Sequence, residues 1–199
     1  MRIPLHYQYT EYDCGPTSVL NGVSYLFQRE EIPPEIVQNI FVYSLDCCGE
    51  VGLHGRGGTS RSAMKNLSDW LGECGKCGNF PISCSYISGE EVFLGENSEI
   101  TKAIRNGSAA VLRLYLDPWH YVLMTGEDSE NVYLFDPYFE DEKDVDEGIA
   151  VDNDHPFSFN RIAPVDFFNR ETEEPYSLGN IAKREAVIIS RTDGKNINK

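Results

Sequence analysis

The sequence predicts an α+β fold in which N-terminal helices pack on an antiparallel sheet. Three observations carry that prediction. Val19, Leu20, Val23, Leu26 and Phe27 recur at i, i+1, i+4, i+7 and i+8, which is one face of a helix. The apolar stretches Trp119–Gly126 and Val132–Phe135 flank the polar segment Glu127–Asn131 and read as a β-hairpin. Glu185–Ser190 is a late β-type run that returns to the same sheet. The 199 residues therefore read as a single domain, 1–199, with a core over about 5–138, an acidic loop at 139–154 and a C-terminal helix and strand within 160–191.

Composition narrows the function classes. A hydrophobic fraction of 41% is that of a globular domain, and no apolar run approaches the ~18–20 residues of a membrane-spanning helix. The start, Met1-Arg2-Ile3-Pro4-Leu5-His6, lacks the apolar stretch of a secretory signal, so a cytoplasmic location is expected. A net charge of −15 argues against nucleic acid or anionic membrane as partners, since both call for clustered Lys and Arg. Six cysteines in such a chain are read as reduced thiols. Cys74-Gly75-Lys76-Cys77 has zinc-like spacing. Its companion Cys47-Cys48 is adjacent rather than CxxC, however, and no histidine stands at ligand spacing, so no metal or other cofactor is assigned.

Residues 1–13 are expected to be irregular. Cys14-Gly15-Pro16-Thr17 opens the first helix, because proline fits a first turn where its missing N–H costs nothing. Pro33-Pro34-Glu35 starts a second helix running to about Leu45, with Ile36, Val37, Ile40, Phe41 and Leu45 apolar. The glycine-rich segment Val51–Gly58 lacks a Walker lysine and reads as a flexible connector, with His54 in it. Thr59 or Ser60 caps a third helix carrying Met64, Leu67, Trp70 and Leu71, and Gly72 is expected to stop it. Phe80–Ile87 reads as a strand, Ser98–Asn106 as a short helix ending at Gly107, and Ala109–Leu116 as a strand leading into the hairpin. Residues 139–154, with eight acids against one lysine, read as a solvated loop without calcium-loop spacing. Ala163–Asn169 is expected to form a short helix, and Asp193–Lys199 to be disordered.

The hairpin carries the first chemical clue. His120 begins one strand, Asp136 ends the other, and each lies eight positions from Asp128. A loop centred on Asp128 would place them directly opposite, with Cβ atoms roughly 4.5–5.5 Å apart. Pro137 biases Asp136 toward an extended backbone. A carboxylate-oriented histidine is half of a nucleophilic triad, and Cys14 is the nucleophile candidate. At a helix start, free N–H groups and the positive end of the helix dipole favour thiolate.

A cysteine at the head of a buried helix, facing a histidine and a carboxylate on antiparallel strands, is the arrangement of a papain-like cysteine peptidase fold. The papain signature C-G-[SA]-C-[WY] is absent. The sequence Gln8-Tyr9-Thr10-Glu11-Tyr12-Asp13-Cys14-Gly15-Pro16-Thr17-Ser18 instead resembles the C39 and C39-like peptidases, the bacteriocin-processing or double-glycine group. Gly57-Gly58-Thr59-Ser60 with Leu71-Gly72, then Trp119-His120-Tyr121-Val122, then Val132-Tyr133-Leu134-Phe135-Asp136-Pro137 continue the resemblance in the family's order, over roughly residues 5–138. It implies Cys14 as nucleophile, His120 as general base and acid, Asp136 as orienting carboxylate, and Gln8 as an oxyanion donor beside the Cys14 N–H. The best-known members are fused to ATP-binding cassette exporters. This chain shows no spans and no nucleotide-binding domain, so double-glycine specificity is not carried over. The expected activity is that of a free-standing cysteine peptidase on a peptide or amide substrate. The alternatives are a thiol acyltransferase or amidase on the same triad, or a catalytically idle peptide-binding module.

Overall fold

The computed structural model describes residues 1–49, 52–78, 80–116, 119–141, 144–146 (backbone) and 148–198. Among these, helices α1 (Cys14–Leu26), α2 (Pro34–Ser44) and α3 (Arg61–Lys76) come first, and strand β1 (Ile82–Ser88) follows. Then come helix α4 (Glu99–Arg105), β2 (Ala109–Tyr115), β3 (Trp119–Glu127), β4 (Asn131–Phe135), β5 (Asp144–Asp146) and β6 (Ile149–Val151). The chain closes with β7 (Arg161–Pro164), α5 (Val165–Phe168) and β8 (Glu185–Arg191). All eight strands form one sheet in the order β1-β8-β2-β3-β4-β7-β6-β5, and every neighbouring pair is antiparallel. The fold is thus α+β with its N-terminal helices on an antiparallel sheet. No helix among the described residues is long and apolar enough to cross a membrane.

Each face of the sheet has its own core. On one, Val19, Val23 and Leu26 of α1 pack with Ile36 and Ile40 of α2 and Met64, Leu67 and Leu71 of α3 against Val111, Leu123 and Val187. On the other, Ile100 and Ile104 of α4 join Phe168 and Leu178 against Leu112, Val122 and Leu134. Fully burying each such side chain contributes about 1.5–3 kcal/mol, which holds α1 rigidly on β3. Gly22 lets α1 approach closely, since a Cβ there would stand 2.8 Å from Ile189 Cδ1.

Several expectations need correction. Helix α3 does not stop at Gly72 but runs to Lys76. Its glycines make room for β1: a Cβ on Gly72 would lie 3.1 Å from the Cys84 carbonyl oxygen, and one on Gly75 would lie 1.7 Å from that of Ile82. Close helix–strand contact, not termination, selects glycine there. Within 139–154 the backbone forms β5 and β6, which extend the sheet edge through β7. The tail described to residue 198 is tied down. Arg191 bonds Glu31 and Asp193, and Asn198 donates to the Tyr25 carbonyl at 2.9 Å and accepts from Arg2 at 2.7 Å. The glycine-rich connector folds back on itself, with Gly55 N and Gly57 N donating to the Cys47 carbonyl.

Candidate active site

Helix α1 opens at Cys14, and its buried N-terminus sits under a braced loop. Asp13 makes no side-chain cap on the helix. Its carboxylate turns back to accept from Tyr9 N (3.0 Å), Thr10 N (2.7 Å) and Thr10 Oγ1 (2.5 Å). The segment ahead is clamped by Asn21, whose amide exchanges hydrogen bonds with both backbone groups of His6. Gln8 N donates to the Pro137 carbonyl at 2.8 Å, so the N-terminal arm bridges α1 to the end of β4. Thr59 packs against the first turn of α1. A Cβ on Gly15 would stand 2.3 Å from Thr59 Oγ1, so glycine is required there on steric grounds.

His120 and Asp136 meet, although not in the predicted register. The ladder pairs Glu127 with Val132 and Gly126 with Tyr133, then shifts between Met124 and Gly126 to pair Met124 with Leu134 and Leu123 with Phe135. Asp136, one residue beyond β4, therefore stands across from Val122 and diagonal to His120 rather than directly opposite it. The irregularity at Thr125 decides the outcome. A regular ladder continued from the turn would set Asp136 against Leu123, and a one-residue slip sends side chains to the other face. The bulge restores the parity. His120 Nε2 and Asp136 Oδ1 are 2.8 Å apart. Cys14 acts on the imidazole from the cleft that both side chains line.

The carboxylate is held from every side. Asp136 is fully buried. Tyr138 N donates to its Oδ1 at 2.8 Å and the Tyr176 hydroxyl to its Oδ2 at 2.6 Å. Asn160 exchanges two hydrogen bonds with the Asp136 backbone, at 2.7 and 2.8 Å. Arg161, 1% exposed, donates from Nε to the Tyr176 hydroxyl at 3.2 Å and from Nη2 to the Tyr138 carbonyl at 3.1 Å. Tyr176 adopts φ 60°, a left-handed conformation that costs a non-glycine residue free energy. The buried hydroxyl contacts hold it there.

These contacts set the charges. Burial alone would lower the His120 pKa. The charge and hydrogen bond of Asp136, with a smaller contribution from Cys14, outweigh it and push the imidazole up to about 10. Burial would raise Asp136, but His120, Arg161 and the Tyr176 hydroxyl bring it below the ordinary carboxylate value. Both shifts favour imidazolium beside carboxylate at neutral pH.

Cys14, His120 and Gln8 line one cleft of about 790 Å³, together with Thr59, Trp119 and Tyr176. Gln8 reaches the cleft, but its Nε2 donates to the Thr10 carbonyl at 2.9 Å, and its Oε1 is buried without a partner. One of the two amide hydrogens is thus committed to Thr10. Gly57, Gly58 and Thr59 form part of the wall, so the segment read as a connector belongs to the site.

Other histidine and cysteine side chains lie elsewhere. His54 pairs with Cys48 in an isolated bridge and His155 stacks on Phe159 at 4.3 Å, and neither lines the cleft. Burial pushes the Cys84 thiol up to about 12, against a hydrogen bond from Ser68, and burial also raises Cys74 and Cys47. No group of three or more His, Cys, Asp or Glu that could hold a metal occurs among the described residues. Sequence reasoning missed Asn160, Arg161 and Tyr176. They belong to a segment with no periodicity, and their role depends on β7 lying beside β4.

Among solved structures, the chain is similar to the crystal structure of a candidate C39-like peptidase from Bacillus anthracis. The two share 16% identity over 96% of each chain, with a TM-score of 0.49. No protein-family model matches the chain, and no curated protein matches it.

Proposed function

We propose that this protein is a papain-like cysteine peptidase of the C39-like kind, with Cys14 as nucleophile, His120 as proton carrier and Asp136 as orienting carboxylate. The observation that supports the reading is the buried His120–Asp136 pair, 2.8 Å apart, with Cys14 and His120 lining the same cleft. In the reaction so proposed, the Cys14 thiolate attacks the scissile carbonyl carbon and its oxygen becomes an oxyanion. The Cys14 N–H and the uncommitted Gln8 Nε2–H donate to that oxyanion, each such donor being worth roughly 2.7–4 kcal/mol of barrier. As the C–N bond breaks, the imidazolium gives its proton to the leaving amine, and a thioester remains on Cys14. The now neutral imidazole takes a proton from water, whose oxygen attacks the thioester. Collapse of that intermediate releases the carboxylic acid and restores the thiolate–imidazolium pair.

A peptide-library digestion read by mass spectrometry tests this proposal. Cleavage by the native chain and none by Cys14→Ala supports it. Products joined to an added amine, in place of hydrolysis products, would move the reading to an acyltransferase. Peptide binding without turnover and without an activated Cys14 would move it to an idle binding module. The commitment of Gln8 Nε2 to Thr10 is the observation that gives this last reading its footing.

A further inference from the structure

The wall of the cleft beside His120 carries a guanidinium that the proposed chemistry does not use. Arg113 of β2 stands directly across from Tyr121 and next to Leu114, the partner of His120. Its guanidinium lies 4.4 Å from the centre of the Trp119 ring, and Nη1 donates to the Lys183 carbonyl at 3.2 Å. Trp119 is itself wedged in place, since a Cβ on Gly179 would come within 2.6 Å of its ring. Arg113 and Trp119 both line the cleft.

The charge balance behind this wall is uneven. Glu185, 1% exposed at its side chain, accepts from the hydroxyls of Tyr86 and Tyr121 and from Arg61 Nε at 3.3 Å, while Arg113 Nε lies 3.6 Å away. One buried carboxylate thus faces two guanidiniums. Arg61 spends its remaining donors on the carbonyls of Ala182 and Arg184 and does not line the cleft. The surplus positive charge meets the cleft at Arg113. There a planar fork, pre-oriented by Trp119, costs little further ordering when it binds an anion.

We propose that Arg113 is a specificity-determining residue that receives a substrate carboxylate just beyond the scissile bond. This rests on the function proposed above. The leaving amine must take its proton from His120, so the part of the substrate after the scissile bond lies on the Trp119–His120 side, where Arg113 stands. Glu11 and Glu140 also line the cleft, from the segments ahead of Cys14 and beyond Asp136, and would repel a second carboxylate there. The shared chemistry is a carboxylate, supplied by an acidic side chain or by a free C-terminus.

Two measurements test the proposal. The first compares kcat/KM for peptides differing only after the scissile bond: Asp against Asn, and a free against an amidated C-terminus one residue on. Native protein should prefer the carboxylate member of one pair by roughly tenfold, expressed in KM, and which pair responds identifies the source. Arg113→Gln should bring that ratio to about one, and Arg113→Lys should restore part of it. The second needs no peptide cleavage: the ratio of Cys14 alkylation rates by iodoacetate and iodoacetamide should fall several-fold in Arg113→Gln relative to native protein. A chain that cleaves nothing yet shows this fall would retain the anion site while losing the peptidase reading. Peptide and alkylation ratios both unchanged in Arg113→Gln would overturn the proposal.

Discussion

Replacing Asp136 by asparagine should release the proton that His120 holds, and the size of the effect follows from the geometry. The carboxylate is fully buried and sits 2.8 Å from Nε2 of the buried His120. A hydrogen bond to a charged partner is worth about 1.5–3 kcal/mol, which at 1.36 kcal/mol per pKa unit is about one to two units. Arg161 would then face His120 without an intervening negative charge and add to the fall. His120, raised to about 10 in the native protein, should therefore titrate near or below about 8 in Asp136→Asn. The chain has four histidines, so heteronuclear NMR titration can follow each one. Asn160 holds the backbone at position 136, which should keep the substitution local. Linkage adds a second signature. The raised His120 pKa contributes stability that is fully present below the ordinary imidazole value of 6.5 and is lost as pH rises through about 10. The lowered Asp136 pKa contributes stability that is present above 3.8 and is lost as pH falls through its depressed value. The stability gap between native and Asp136→Asn should thus be widest between these limits. A native His120 titrating at the ordinary value, or an Asp136→Asn His120 still titrating near 10, would refute the reasoning.

Three further outcomes are expected. Gly75→Ala pushes a methyl carbon into the Ile82 carbonyl and should lower stability by about 3 kcal/mol or more, read as a drop in Tm or as lost soluble yield; an unchanged Tm would contradict the close α3–β1 contact. Glu31, brought to about 2 chiefly by its hydrogen bond to Arg191, contributes stability above 4.5 that is lost as pH falls through about 2. Glu31→Gln should therefore cost roughly 1 kcal/mol at pH 7 in urea titrations, and nearly nothing at the acid end. Tyr176→Phe removes the donor to Asp136 and strands Arg161 Nε, so it should destabilise by about 2–4 kcal/mol in urea titrations; an unchanged stability would show that the hydroxyl does not hold Asp136 and Arg161.

Local patterns announced what depends on local physics. Pro16 and the apolar face after it announced α1 with Cys14 at its head, and the run 185–190 announced β8. Where steric contact with a distant segment decides, the sequence was misread. Gly72 looks like a helix stop until β1 lies against it, and Arg191 holds residues that by composition alone look unstructured. The hairpin is the instructive case. Symmetry about Asp128 predicts the right pair of residues in a register that does not form, because the turn has Glu127 opposite Val132 and Thr125 is then bulged out. Two departures from the simple hairpin offset one another, and His120 still reaches Asp136 across a diagonal. Arg161, Tyr176 and Glu185 were invisible to periodicity, since each is a polar residue whose meaning lies in charges brought to it from other strands.

The most direct measurement is the rate of iodoacetamide labelling at each cysteine near pH 6, resolved by peptide mass spectrometry. An ordinary thiol of pKa about 8.5 is only roughly 0.3% thiolate at that pH. The exposed Cys48 and Cys77 supply an internal reference, and burial holds Cys84 far from ionisation. With the proposed thiolate–imidazolium pair, Cys14 should label roughly 10–100-fold faster than the reference sites. That fast phase should vanish in Cys14→Ala and slow sharply in His120→Ala, with Cys74→Ala unaffected. Labelling of Cys14 no faster than that of Cys48 or Cys77 would contradict the thiolate–imidazolium pair on which the proposed function depends.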